Sequence, residues 1–180
     1  ASVITEPLDR AMIAALQQVV GDATTGFEAW DYTRSLDVTE TFFWTFCDDY
    51  IELVKDRAHA GDASARAALR LALSVLLRLL APVLPYATEE VWSWWQEGSV
   101  HRATWPEASE LALADAGDPH VLAAVGTALS QVRKAKSDAK VGMRSEITSA
   151  TLVAPAATAE RVRAGEADLI LGKHRGGPTS

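Results

Sequence analysis

The chain has little cysteine, little positive charge over most of its length and no long uninterrupted apolar run. Its single cysteine, Cys47, excludes an intrachain disulfide and a cysteine-rich zinc site, and it favours a reducing compartment. The four histidines are far apart and show no metal-ligand spacing. The most apolar stretch, residues 69–84, is interrupted by Arg70, Arg78 and Pro82 and is too short to span a bilayer. We therefore expect a cytoplasmic protein with no membrane contact and no metal site.

Motifs that would carry catalysis are also missing. The sequence contains no glycine-rich phosphate loop, no G-x-S-x-G elbow and no metal-binding helix motif. Its acid pairs, such as Asp48 with Asp49 and Glu89 with Glu90, are adjacent, so their side chains point about 100° apart on a helix. Such a pair cannot act together as general acid and base. We therefore assign no catalytic residue and no cofactor-binding residue to the chain.

The charge is distributed unevenly along a chain whose net charge is −7. Residues 1–130 carry 19 acidic and 8 basic side chains, whereas residues 131–180 carry 5 acidic and 9 basic ones. This distribution argues against indiscriminate binding of phosphate backbones over the whole surface. Any contact with nucleic acid should be local, and a merely solvated basic tail is the alternative reading.

Most of the chain has the spacing of amphipathic helices, with apolar residues at three- and four-residue steps. We expect Gly21 and Asp22 to end the first helix, and a bend near residues 35–37 within the second. The predicted helices cover residues 6–20, 27–57, 63–80 and 120–139.

The stretch LLRLLAPVLPYATEEVWSWW, residues 76–95, is the most distinctive part of the sequence. An apolar helix ends at a proline pair, and Thr88 then opens another helix with two glutamates in its first turn. The Thr88 hydroxyl is expected to accept a hydrogen bond from a backbone N–H there. Trp92 and Trp95, together with Trp44, lie on apolar helical faces and are predicted to be buried.

The C-terminal region is predicted to have a different character. Residues 147–153 are rich in β-branched side chains and predict a strand, residues 157–165 a short helix, and residues 168–171 a second strand. The predicted fold class is therefore mainly α. An antiparallel helical bundle (1–106) is followed by a small α/β appendage (107–180).

Two basic clusters have the composition that RNA recognition needs, since basic side chains bind phosphates. The first cluster, Lys55 and Arg57, could equally provide favourable charge at a helix C-terminus. The second cluster runs from Arg133 to Arg144, and a continuous helix would align several of its cations at steps of three to four residues. A further stripe on the third helix, Arg66, Arg70 and Arg78, could face phosphates or be the solvated edge of a buried helix. The candidate RNA-binding residues are Lys55, Arg57, Arg133, Lys134, Lys136, Lys140 and Arg144.

Several segments resemble, in the same order, the anticodon-binding bundle of class I aminoacyl-tRNA synthetases. FFWTFCDDYIELVKDR (42–57) resembles a helix of valyl-tRNA synthetases, and residues 76–95 resemble a segment shared by the valyl, isoleucyl and leucyl enzymes. SVHRATWP (99–106) resembles the element that closes the bundle, and QVRKAKSDAKVGMRSEIT (131–148) resembles the region after it. The order Cys-Asp, then Tyr-Ile-Glu, at residues 47–52 favours the valyl enzyme.

The resemblance implies a piece of a longer protein, the anticodon-binding domain of a valyl-tRNA synthetase. Such a domain would bind the tRNA anticodon stem-loop and place the tRNA for ligation of valine, with ATP and Mg²⁺, in a separate catalytic domain. The family's ATP-site motifs, of the His-x-Gly-His and Lys-Met-Ser-Lys-Ser types, are absent here. We therefore expect the fragment alone to be inactive and monomeric, with tRNA and the rest of the synthetase chain as partners.

Two alternatives stay open at this point. The same domain of an isoleucyl- or leucyl-tRNA synthetase shares much of the motif pattern. A stand-alone helical module that binds protein would fit the acidic character of residues 1–130.

Overall fold

The chain folds into a helical bundle around its first helix. The computed structural model describes residues 3–113, 117–142, 145 and 149–165. The α-helices in this part of the chain are α1 (Pro7–Glu28), α2 (Tyr32–Thr45), α3 (Ile51–His59), α4 (Ala63–Leu80), α5 (Pro85–Ser93), α6 (His120–Asp138) and α7 (Ala156–Ala164). A π-helical turn (Phe46–Tyr50) joins α2 to α3, and two 3₁₀ turns (Val100–Arg102 and Ala108–Leu111) follow α5. The predicted mainly helical fold is confirmed.

Helix α1 is the centre of the bundle, because α2, α4, α6 and the second 3₁₀ turn all pack against it. It runs on to Glu28, so the predicted end at Gly21 and Asp22 is wrong. Both residues are exposed, whereas Val20 and Ala23 on either side of them are buried in the core. Packing of these neighbours outweighs the weak helix propensity of one exposed glycine, which is about 1 kcal/mol.

The joint between α1 and α2 lies earlier than the predicted bend at residues 35–37. Ser35 is buried inside α2, and its hydroxyl donates to the carbonyl of Ala23 at 2.7 Å. Gly26 makes this approach possible, because a Cβ there would lie 2.5 Å from the Ser35 Oγ. The hydroxyl therefore joins α2 to α1, with a longer bond of 3.4 Å to the carbonyl of Asp31.

The segment from α2 through the π-helical turn to α3 forms one continuous rod with an aromatic inner face. Phe42 stacks on Phe46 with ring centroids 6.4 Å apart, and Phe46 stacks on Tyr50 at 5.6 Å. Trp44 points away from this face and is 54% exposed, so its predicted burial is wrong. Its indole N–H instead donates to the Glu40 carboxylate at 3.4 Å.

Helix α5 begins at Pro85, three residues before the predicted start. The Thr88 hydroxyl is buried and donates to the carbonyl of Leu84 at 2.9 Å, so the predicted acceptor role at the helix start is wrong. Glu89 accepts from the hydroxyl of Ser99 and the N–H of Val100, which fastens the first 3₁₀ turn to α5. Pro85 suits the first position of α5, because proline has no backbone N–H and the first N–H groups of a helix have no partner within it.

Trp92 and Trp95 contribute to a small second core between α4, α5 and the first 3₁₀ turn. Trp92 is buried, as predicted, and Trp95 is half-buried with its ring centroid 6.0 Å from that of Trp92. Leu77 and Val100 are further members of this core.

The region after residue 106 shares the main core, because Leu111, Val121 and Val125 are buried with residues of α1. The division into 1–106 and 107–180 stays a prediction. Helices α6 and α7 match the predicted helices, but residues 149–153 are irregular and form no part of the predicted first strand. Residues 147–148 and the predicted strand at 168–171 lie outside the described residues.

A partly buried ion pair holds the segment after α5 against α4. Arg78 is 8% exposed, and its Nη1 and Nη2 donate to the two carboxylate oxygens of Glu110 at 3.1 and 2.7 Å. The same guanidinium donates to the carbonyl of Thr104 at 3.3 Å. The hydrogen bonds from Arg78 hold the pKa of Glu110 below its ordinary value.

We predict that Glu110→Gln lowers the free energy of unfolding at pH 7, because the neutral amide loses the charge-assisted pair with Arg78. A carboxyl with a lowered folded-state pKa contributes stability above its unfolded pKa and loses it as the pH falls through the folded one. The gap between wild type and variant should therefore close as the pH falls below 4.5, the ordinary value of this carboxyl. Urea unfolding of both proteins across this range measures the gap, and a gap that stays constant contradicts the prediction.

Candidate nucleic-acid interface

Lys55 lies on the exposed side of α3 and forms an ion pair with Glu52. Its Nζ is 2.7 Å from the Glu52 carboxylate, and the two side chains are 44% and 45% exposed. An ion pair this exposed contributes at most about 1 kcal/mol, so a phosphate can compete for the lysine.

Arg57, two residues further on, is used inside the protein. Its guanidinium donates to both carboxylate oxygens of Asp9, at 2.8 and 3.0 Å, and to Asp62 at 2.7 Å. Asp9 is fully buried and also accepts from the hydroxyls of Tyr50 and Ser64, at 2.7 and 2.6 Å. This cluster, the Asp9 network, joins α1, the π-helical turn, α3 and α4.

The Asp9 network also closes the ends of two helices. Asp62 accepts from the N–H of Ala65 at 2.7 Å and thereby caps α4, and this bond together with Arg57 lowers the pKa of Asp62. The Ser64 hydroxyl accepts from the backbone N–H groups of Thr5 and Glu6, just before α1. The structure therefore gives Arg57 a structural role, and its contact with RNA stays a prediction.

Arg133 fastens α6 to the π-helical turn. Its Nη2 donates to the carbonyl of Asp48 at 2.9 Å, and its Nη1 lies 3.5 Å from the Asp49 carboxylate. Gly126, two turns earlier on the same face, lets α6 approach closely, because a Cβ there would lie 2.7 Å from that carboxylate. Burial raises the pKa of Asp49, and Arg133 offsets part of this effect.

The other residues of the second basic cluster lie on different sides of α6 or beyond its end. Lys134 is exposed, whereas Lys136 is 7% exposed and faces the protein. Helix α6 ends at Asp138, and Lys140 is exposed beyond it in a left-handed conformation with φ 53°. The expected alignment of the cluster on one helix therefore does not extend to Lys140, and Arg144 lies outside the described residues.

The outer face of α2 and the π-helical turn argues against RNA contact there. Its exposed side chains include Asp37, Glu40 and Asp48, and Glu52 continues the same face on α3. Such a row of carboxylates repels phosphates. Among the predicted RNA-binding residues that the structure describes, Lys55, Lys134 and Lys140 are the exposed ones.

Neither a metal centre nor a membrane segment is found in the part of the chain that the structure describes. No group of three or more His, Cys, Asp or Glu side chains there is arranged to hold a metal ion. None of its helices is both long enough and apolar enough to cross a bilayer. Cys47 is half-buried, and burial raises the pKa of its thiol, which disfavours the reactive thiolate.

Comparison with known proteins identifies the class of this bundle. The family described as the anticodon-binding domain of tRNA ligase matches residues 9–152, which is most of the chain. The chain therefore belongs to this family of anticodon-binding domains.

Three similar proteins of known activity are ligases for one amino acid, valine. The chain is 60% identical to the valine–tRNA ligase of Thermobifida fusca over 83% of its own length and 18% of the relative's. It is 50% identical to that of Cutibacterium acnes and 49% identical to that of Leifsonia xyli, over 92% of the chain and 20% of each relative. The chain thus spans about a fifth of the length of these relatives. The predicted likeness to the anticodon-binding domain of valyl-tRNA synthetases is confirmed.

We predict that Arg57→Ala lowers the free energy of unfolding by about 3–5 kcal/mol, because it leaves the Asp9 carboxylate buried without its charge partner. Lys55→Ala is the matched control, since it removes a cation two residues away and should change stability by less than about 1 kcal/mol. Urea unfolding at pH 7 measures both. Equal, small effects would mean that Tyr50 and Ser64 suffice to stabilise Asp9.

Proposed function

We propose that this chain binds the anticodon stem-loop of a valine tRNA as the anticodon-binding part of a valine–tRNA ligase. The observation that carries the proposal is the family match over residues 9–152, together with the likeness to the valine–tRNA ligases of three bacteria. The stand-alone protein-binding module has no comparable support.

In this role the chain contributes position, not chemistry. Holding the anticodon end of the tRNA places the acceptor end in a distant catalytic centre, which lowers the entropic barrier of a step that occurs elsewhere. Activation of valine with ATP and Mg²⁺ would belong to the rest of the synthetase, and we assign neither ligand to these residues. We further propose a cytoplasmic monomer without membrane contact, and a small α/β appendage of which α7 is a part.

The proposed phosphate contacts are Lys134 and Lys140, with Lys55 on α3. All three are exposed, and the Arg133 contacts to Asp48 and Asp49 attach α6 to the rod that carries Lys55. Arg57, Arg133 and Lys136 would act through the fold that they stabilise. Arg144 remains a proposed contact on sequence grounds alone.

We predict that Lys134→Ala combined with Lys140→Ala weakens binding of the stem-loop and makes its salt dependence shallower. Each lost phosphate contact removes about 0.7–0.9 from the slope of log K against log salt. Fluorescence anisotropy with a labelled stem-loop, at several salt concentrations, measures both quantities. The control is Arg34→Ala, which removes an exposed cation roughly 30 Å along the rod from Lys55.

The same assay separates the amino acid specificities. Stem-loops with valine, isoleucine and leucine anticodons are compared under identical conditions, and the proposal requires preference for the valine anticodon. Equal binding of all three, or binding of none, contradicts it.

A further inference from the structure

Helix α4 carries two exposed arginines in a stretch that has no acidic residue. Arg66 and Arg70 lie one helical turn apart, and residues 63–88 contain neither aspartate nor glutamate. The third member of the predicted stripe, Arg78, is buried against Glu110. The stripe is therefore split, and only its first two members are exposed to solvent.

Arg70 is held in place without use of its hydrogen-bond donors. Its guanidinium carbon lies 5.3 Å from the centre of the Trp95 ring, a cation–π contact. Trp95 in turn packs against the buried Trp92, so the ring beneath the guanidinium has firm support. No carboxylate or carbonyl within the described ranges accepts from Arg70. Its planar fork is thus ordered in advance and available to an anion.

Arg66 is ordered by a single bond to the neighbouring helix. Its Nε donates to the carbonyl of Ala58 at 2.8 Å, which leaves its terminal nitrogens available. This bond places Arg66 beside the end of α3, where His59 and Lys55 are exposed one turn apart on one face. Lys55, His59, Arg66 and Arg70 thus form a row of basic side chains across α3 and α4, which we name the basic track.

One acid close to the basic track, Glu52, pairs with Lys55, and another is engaged outside the track. Asp62, at the start of α4, is bound by Arg57 and by the N–H of Ala65. Other arginines of the described chain form ion pairs with carboxylates: Arg133 pairs with Asp49, and Arg161 pairs with Asp118. Arg66 and Arg70 differ from them because no carboxylate of the described residues pairs with either guanidinium.

We propose that the basic track binds the phosphodiester backbone of the tRNA, with Arg66 and Arg70 each holding one phosphate. This proposal rests on the proposed function and adds a second contact surface to it. Helix α3 has α4 on one side, at the Arg66–Ala58 bond, while the π-helical turn before it contacts α6 through Arg133. Lys55, a member of the basic track, therefore lies on the same rod that α6 contacts, and one RNA can contact both the basic track and the lysines of α6.

The test compares Arg66→Ala combined with Arg70→Ala against Arg34→Ala in the 180-residue chain. The double variant should bind the valine stem-loop more weakly, with a salt slope shallower by about 0.7–0.9 for each phosphate lost. The loss should be similar for all stem-loops, because phosphates carry no sequence information. Circular dichroism and thermal unfolding show whether each variant keeps the wild-type fold.

The outcomes distinguish the two proposals. If wild type binds and the double variant binds equally well with an unchanged slope, the basic track is wrong and the proposed function stands. If wild type binds no stem-loop, both fall. If Arg34→Ala weakens binding as much as the double variant, the effect is general loss of charge and the basic track is again wrong.

Arg70→Lys tests the guanidinium contact with Trp95 separately from the charge. Lysine keeps the charge but loses the guanidinium over the Trp95 ring, so the salt slope should be retained while affinity falls about two- to fivefold. Wild-type affinity in this variant would show that the contact with Trp95 plays no part in binding.

Discussion

The buried carboxylate of Asp9 is the constraint on which the rest of the bundle depends. A charge removed from water must be paired and hydrogen-bonded, and its partners here are Arg57, Tyr50 and Ser64. Because these partners come from separate elements, satisfying one carboxylate fixes how α3 and α4 sit against α1. The end of α3 thereby meets the start of α4, and the exposed cations of the two helices become neighbours.

The cations of this acidic chain are divided between two uses. Arg57, Arg78 and Arg133 hold elements of the bundle together through carboxylates or carbonyls, so little of their charge reaches a ligand. A second group on α3, α4 and the end of α6 is exposed, beside a face of α2 that is acidic. A negative protein can therefore present a confined positive surface, and repulsion elsewhere limits the ways in which a nucleic acid can lie on it.

Helix positions and the family were predictable from the sequence because they depend on local periodicity and on ordered motifs. The roles of individual cations were not. Lys55 and Arg57 look equivalent in sequence. Only Arg57 is bound by Asp9, and Asp9 is 48 positions away in the chain. The sequence held one signal of this difference: Asp9 lies within the apolar face of α1, between Leu8 and Met12, and a buried acid requires a cationic partner. Lys134 and Lys136 differ only in helical phase, which sequence spacing alone could not assign to one side.

The π-helical turn between α2 and α3 has a consequence for how this family can vary. Its wider winding sets the rotation of α3 about the rod axis relative to α2. A π-helical turn holds one residue more than an α-helical turn, so loss of one residue there would leave a regular α-helix and keep the phase of α3. Arg57 would still face its buried carboxylate, and the outward cations would stay outward. The same loss within α2 would turn every later side chain of the rod by about 100°, so this short segment is the place where the rod can change its length.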